Sequence, residues 1–219
     1  FSINPYGQDI EKGLPQKTEL TETFRLMAHY LGSKNMIWRY SPILISEKYS
    51  ITCHLASFER IAQRLEGATS VCRISFLDIY RKIARRMADK GISDVSETEK
   101  TYLAGKLAEI GARYGITVGG CGNMDVQAAG FSMMGCIDQA FVSRAIGEPL
   151  DVKEDPGQRD DCYCVTSFDI GSYNTCKNGC IYCYANAVGQ REAFAAERYD
   201  PSSPLLCDSL REGDIVVER

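Results

Sequence analysis

The fold is set by residues 36–77, which read MIWRYSPILISEKYSITCHLASFERIAQRLEGATSVCRISFL. Residues 36–40 are apolar and aromatic, and they predict a β-strand that is ended by Pro42. A helix closed by Gly67 is predicted next, and its apolar face is formed by Leu55, Phe58, Ile61 and Leu65. Residues 71–77 are a second apolar run and predict the following strand. Strand, helix and strand in this order indicate two parallel strands joined by a right-handed crossover.

The same alternation continues on both sides of this unit. Upstream, a helix that stops at Gly32 is predicted from Leu20, Phe24, Met27 and Leu31. Downstream, the basic residues 81–90 predict a solvated helix, and Ser96 with Glu99 forms a capping box that opens another. That helix ends at Gly115, and its apolar face is Leu103, Leu107, Ile110 and Tyr114. Two further strands are predicted, at residues 116–118 and 164–170.

These elements predict an α/β fold with a parallel sheet. A (β/α) barrel or partial TIM-like barrel is the first expectation, and a doubly wound open sheet is the alternative. The chain starts at Phe1 as if within a strand, so we expect a fragment that lacks the N-terminal part of its barrel. Residues 1–199 are expected to form this partial barrel and residues 200–219 a C-terminal tail.

Composition narrows the class of protein. The chain has 219 residues and a formal net charge of −4, with its lysine and arginine residues dispersed, which gives no basic surface for a nucleic-acid backbone. No apolar run is long enough to span a bilayer, and we expect a soluble, cytoplasmic protein. Ten cysteines are many for such a protein but too few for a disulfide scaffold, so metal binding is the expected use.

Three of the cysteines form one compact group. Cys176, Cys180 and Cys183 are spaced C-x3-C-x2-C, and three thiolates this close can hold three corners of a [4Fe–4S] cluster while leaving one iron open. A closed structural cluster or a structural zinc needs four protein ligands. The same spacing would also suit a buried stripe on a helix, but Asn178 and Gly179 form a turn signal that interrupts a helix.

With Tyr182 as the aromatic, the pattern C-x3-C-x-aromatic-C resembles the cluster loop of radical S-adenosylmethionine enzymes. The resemblance implies that the three cysteines hold the cluster and that S-adenosylmethionine chelates the open iron. It further implies that an electron from the cluster releases a 5′-deoxyadenosyl radical, and that Tyr182 lies beside the adenine. A low-potential electron donor, ferredoxin or flavodoxin, is the implied partner.

A second resemblance spans nearly the whole chain. Its segments are NPYG at 4–7, IWRY at 37–40, ISF at 74–76 with Asp78, CID at 136–138, QR at 158–159 ahead of Cys162 and Cys164, DIG at 169–171, and the cysteine loop through YA at 184–185. In this order they are similar to the bacterial family catalogued as domain of unknown function 1848. Ser41 departs from that pattern, where an aspartate is expected. The cysteine loop follows the last predicted strand, so the implied barrel is permuted relative to the usual radical enzymes.

Two alternatives to a radical enzyme remain open. One is a non-catalytic, cysteine-rich protein that holds iron–sulfur clusters or zinc for folding or electron transfer. The other is a radical DNA-repair enzyme resembling spore photoproduct lyase, which the acidic balance of the chain counts against.

Further candidate residues lie outside the triplet. A second iron–sulfur or zinc site is possible from Cys121, Cys136, Cys162 and Cys164. Because reactive groups of barrels follow the C-terminal ends of strands, candidate substrate or cosubstrate ligands are Asn4, Tyr6, Arg39, Tyr40, Asp78 and Asp169. Of these, Arg39 and Asp78 are the candidate catalytic residues. Arg39 is the strongest, since a guanidinium within an apolar strand needs an anionic partner, and an internal pair with Asp78 is the competing explanation. His54 could face the site, although a surface position is expected.

Overall fold

The computed structural model describes residues 1–120, 128, 130–158, 162–186 and 199–217. Within them the helices are α1 Lys17–Leu31, α2 Ile51–Leu65, α3 Arg81–Ala88, α4 Glu97–Arg113 and α5 Gln139–Ile146. The strands are β1 Trp38–Ile43, β2 Val71–Phe76, β3 Thr117–Gly120 and β4 Phe131–Met133. None of the helices in these ranges is long and apolar enough to cross a membrane.

The four strands form one parallel sheet in the order β1-β2-β3-β4. Ser2 bridges Arg39 in parallel, so the N-terminal segment runs alongside β1 at the edge of the sheet. This arrangement confirms the α/β prediction. Over the described residues the sheet is open, and the predicted closure into a barrel is not seen.

Ahead of the register shift in β1, successive side chains of β1 and β2 point to opposite faces of the sheet, as in a pleated strand. Trp38 and Tyr40 of β1 point into a core formed with α1, α2 and α4, where the Trp38 ring stacks on Phe58 with centroids 4.5 Å apart. Arg39 and Arg73 are register partners on β1 and β2 and leave the opposite face. The sheet therefore has an apolar helical face and a polar face.

Helix ends follow the predicted chemistry. Ser96 and Glu99 form the reciprocal capping box of α4, and the Ser50 side chain accepts a hydrogen bond from the Cys53 backbone N–H at the start of α2. Gly32 takes a φ of +85° directly after α1, a conformation that a residue with a Cβ rarely adopts.

Three expectations are corrected. The strand predicted at residues 164–170 does not form, and only Val165 makes an isolated bridge, to Glu154. Ile170 is 87% exposed, whereas strands of a parallel sheet are covered on both faces. Pro42 does not end β1 but lies inside it, where the register with β2 shifts. The basic helix α3 is not simply solvated, because Ile83 and Met87 are completely buried.

Candidate functional site

The cysteine loop lies at the carboxyl edge of the parallel sheet, packed against the segment that follows Ser2. Two backbone hydrogen bonds join them: the Ile181 N–H donates to the Ile10 carbonyl over 2.9 Å, and the Gly13 N–H donates to the Asn178 carbonyl over 2.7 Å. A Cβ at position 13 would lie 2.9 Å from Asn178 Cα, so this close approach requires glycine there.

Helix α3 holds the other side of the same loop. Arg86 Nη2 donates to the Cys183 carbonyl over 3.0 Å, and Lys82 Nζ donates to the Tyr184 carbonyl over 2.7 Å. The buried residues of α3 pack in a small second core with Tyr6, Ile10 and Ile181. Two cationic side chains of α3 therefore hold backbone carbonyl groups of the cysteine loop.

Glu11 is the buried hub beneath the loop, with a side chain only 1% exposed. Its carboxylate accepts hydrogen bonds from Tyr182 Oη over 2.7 Å, Lys17 Nζ over 2.6 Å and Asn4 Nδ2 over 3.0 Å. Burial, and secondarily the Glu11 carboxylate, raise the pKa of Tyr182, so the phenol stays protonated and donates to the acid. Tyr182 therefore anchors the cysteine loop to the N-terminal segment.

The three thiols of the loop differ in exposure. Cys176 is exposed, and Cys180 and Cys183 are half-buried, with the Cys183 N–H donating to the Cys180 carbonyl over 3.1 Å. Burial raises the pKa of the Cys180 thiol, a hydrogen bond with Tyr182 opposes this, and the charges of Glu11, Cys176 and Cys183 add to it.

The thiols thus share one loop and one electrostatic environment. Across the ranges that the structure describes, no three histidine, cysteine, aspartate or glutamate side chains converge closely enough to hold a metal ion. The donor set has the soft thiolate chemistry that iron–sulfur clusters use. For a cluster to bind, this turn-rich loop has to bring its sulfur atoms closer together.

Arg39 and Asp78 do not form the ion pair considered from the sequence. Arg39 is half-buried on the polar face of the sheet, and its side chain makes no ion pair with a described residue. Asp78 is half-buried two residues after β2, at the carboxyl edge, where the rule for barrels places functional groups.

Two other candidates from the sequence, Tyr40 and Asp169, make contacts that support the fold or a local turn. Tyr40 points into the helical core, and its hydroxyl lies 2.8 Å from Nδ1 of His54, whose Nε2 is 2.9 Å from the Leu44 carbonyl oxygen. His54 is completely buried, so the expected surface position is wrong. Asp169 is exposed and accepts a hydrogen bond from the Gly171 N–H over 2.7 Å, a local turn contact.

Three members of the second cysteine group, Cys136, Cys162 and Cys164, are neighbours in the structure, although their side chains do not converge as metal ligands do. Cys164 is buried, and its Sγ accepts hydrogen bonds from the backbone N–H groups of Cys136 and Ile137 at 3.2 and 3.5 Å. Burial raises the pKa of the Cys162 thiol, and contact with Cys164 and the charge of Cys136 contribute. Cys121 lies outside the described residues.

Sequence reasoning missed Glu11 and Lys17, which complete the hub under Tyr182. Glu11 lies 171 residues before its tyrosine partner, in a polar stretch without a recognisable motif. Only the burial of an acidic residue identifies it, and burial is not visible in a loop that lacks periodicity.

The comparisons with known proteins confirm the second of the two resemblances in the sequence. A family model described as Domain of unknown function (DUF1848) matches residues 1–185. No curated protein and no solved structure matches the chain. The match covers the sheet, its helices and the cysteine loop through Ala185, and the chain therefore belongs to the DUF1848 family.

Proposed function

We propose that this protein is a radical S-adenosylmethionine-type enzyme that binds a [4Fe–4S] cluster through Cys176, Cys180 and Cys183. The observation that supports the proposal is the position of the thiol loop at the carboxyl edge of a parallel sheet. That edge is where α/β enzymes bind ligands and perform chemistry. The finer fold, a permuted partial barrel, is part of the same proposal.

The cluster would supply an electron to S-adenosylmethionine and so generate a 5′-deoxyadenosyl radical, with ferredoxin or flavodoxin as the electron source. The chain's own residues have separate tasks. Glu11 and Tyr182 orient the loop through their hydrogen bond, and Arg86 and Lys82 hold its carbonyl groups. Tyr182 would also flank the adenine through its backbone, as the resemblance implies.

The proposal is tested by anaerobic reconstitution with iron and sulfide, followed by S-adenosylmethionine and dithionite. We expect about four iron and four sulfide ions per triplet site and formation of 5′-deoxyadenosine. Cys180→Ser should lose this cluster and the nucleoside product while remaining folded. Cys53→Ser is the matched control, because Cys53 is also half-buried but lies on α2, and it should retain both. A wild-type protein that holds the cluster yet yields no 5′-deoxyadenosine would refute the catalytic claim.

The non-catalytic metalloprotein is the competing function, and one observation favours it. Sulfur that accepts two backbone N–H groups, as Cys164 does, is typical of metal-bound thiolates, since such hydrogen bonds stabilise the negative sulfur. Cys136, Cys162 and Cys164 could therefore hold zinc or an auxiliary cluster, with Cys121 as the fourth ligand predicted from the sequence.

Metal counts separate these functions. In a variant with all three triplet cysteines changed to serine, any metal that remains belongs to another site. Zinc or iron retained there, and lost on Cys164→Ser, would establish the second site. Zinc alone in the anaerobically purified wild type, without iron or sulfide, would favour the non-catalytic protein.

A further inference from the structure

The polar face of the sheet carries two arginines in register, and only one has an acidic partner in the described chain. Arg73 is 4% exposed, and its guanidinium binds the Asp138 carboxylate over 2.9 Å and the Cys136 carbonyl. Arg39 lies directly opposite on β1, roughly 4.8 Å away across the sheet, and its side chain has no hydrogen bond or ion pair with a described residue. Since Asp138 neutralises Arg73, Arg39 is the arginine of this pair that has no acidic partner among the described residues, and an anion at this position would compensate its charge.

Asn4 supplies an independent sign of a missing ligand. It is 2% exposed, and its Nδ2 donates to Glu11 Oε1 and to the Ser41 carbonyl, both over 3.0 Å. Since both N–H bonds are used, the amide orientation is determined, and the buried Oδ1 has no hydrogen-bond donor among the described residues. A bound ligand can supply the donor that this oxygen lacks there.

Asn4 and Arg39 belong to the same surface. Ser2 bridges Arg39 in parallel, and Asn4 is two residues further along, so both side chains leave the polar face. Next to Arg39 on the same face, the hydroxyls of Ser41 on β1 and Ser75 on β2 lie 2.5 Å apart. Asn4 and Arg39 are offset by two residues along the strand direction and by one strand across the sheet, so they lie about 8 Å apart.

We propose that this face binds a small organic anion: Arg39 pairs with its carboxylate or phosphate group, and Asn4 Oδ1 accepts from a hydroxyl or amino group several bonds away. A guanidinium suits either oxyanion, because its paired N–H groups match two oxygens. The inference rests on the proposed function in one respect, namely that this anion is the substrate presented beneath the cysteine loop.

The test measures binding alone, on the chain without cluster or S-adenosylmethionine, so its failure is separate from failure of the radical chemistry. Thermal unfolding is followed with malate, succinate or phosphate against sodium chloride at equal ionic strength. At an anion concentration near one hundred times its dissociation constant, the melting temperature should rise by about 5–10 °C over chloride. Malate should bind more tightly than succinate, because its additional hydroxyl can donate to Asn4 Oδ1. Phosphate tests whether Arg39 prefers a phosphate group to a carboxylate.

Two variants test the assignment to Arg39. Arg39→Met should abolish the anion-dependent rise while melting at or above the wild type in chloride, since it removes an uncompensated cation. Ser41→Asp places a carboxylate on the same face beside Arg39 and should abolish the rise by internal pairing. Arg60→Met, an exposed position on α2 behind the sheet, is the control that keeps it. An equal rise in Arg39→Met, or no rise over chloride with any of the three anions, would overturn the proposal.

Discussion

Replacing Tyr182 by phenylalanine tests directly whether Glu11 anchors the cysteine loop. The change removes a 2.7 Å hydrogen bond to a carboxylate that is 1% exposed, and it leaves the ring in place. Hydrogen bonds to charged groups contribute about 1.5–3 kcal/mol. Lys17 and Asn4 still pair with Glu11, so the expected loss in free energy of unfolding is about 2 kcal/mol. For a chain of this size that lowers the melting temperature by about 4–8 °C.

Urea unfolding followed by circular dichroism measures this loss. Tyr184→Phe is the matched control, two residues later in the same loop and 54% exposed, and it should change stability by less than about 0.5 kcal/mol. A double-mutant cycle with Glu11→Gln should return a coupling energy of at least about 1 kcal/mol. Equal effects of Tyr182→Phe and Tyr184→Phe would show that the hydroxyl contact does not hold the loop.

The same tyrosine gives a pH dependence with a definite sign. Burial and Glu11 raise the pKa of Tyr182 in the folded state, whereas the unfolded phenol ionises near about 10. The stabilisation that protonated Tyr182 gives the folded state is therefore complete below about pH 10 and is lost progressively as the pH rises above that value. Wild-type stability should fall more steeply than that of Tyr182→Phe in this range.

Two further predictions concern the scaffold. Burial lowers the pKa of His54 to about 4, so on acidification the imidazole gains its proton in the unfolded state first. The free energy of unfolding of the wild type should therefore fall by about 2 kcal/mol between pH 7 and pH 5. In urea titrations His54→Asn should lose this extra pH dependence, whereas His29→Asn, at an exposed position, should keep it. Gly111→Ala should destabilise the protein by about 1–3 kcal/mol in the same assay, because its Cβ would lie 2.5 Å from Val118 Cγ2. Gly105→Ala on the same helix meets a single methyl group at 3.2 Å and should be less harmful, and equal losses at both positions would refute the steric reason.

Much of the fold is predictable because periodicity, glycine stops and caps act locally. Gly32 and the Ser96 capping box lie where the sequence indicates, since each needs only its own neighbours. The failures lie where long-range pairing decides. Residues 164–170 alternate like a strand, yet no sheet edge receives them, while the three residues of β4 pair with β3 and carry too short a pattern to recognise.

His54 shows how tertiary contacts override a local reading. In the sequence it stands in the first turn of α2, where most polar residues face water. In the structure, the Tyr40 hydroxyl and the Leu44 carbonyl satisfy both of its ring nitrogens, so the imidazole can be buried without loss of hydrogen bonds. Only the position of β1 against α2 makes both partners available.

The position of the site at the carboxyl edge of the sheet was predictable from the sequence, but the individual contacts there were not. Parallel strands bring their carboxyl ends together, so the segment after Ser2 and helix α3, which follows β2, had to share one edge with any functional loop. Which groups meet there depends on side-chain reach: Tyr182 binds Glu11, and Arg86 reaches the Cys183 carbonyl. Because the cysteine loop is held by contacts to two distant segments, changes far from the thiols in sequence should alter retention of the proposed cluster. Loss of the cluster in Glu11→Gln under oxygen-free conditions, with the sheet still folded, would be the direct sign of that coupling.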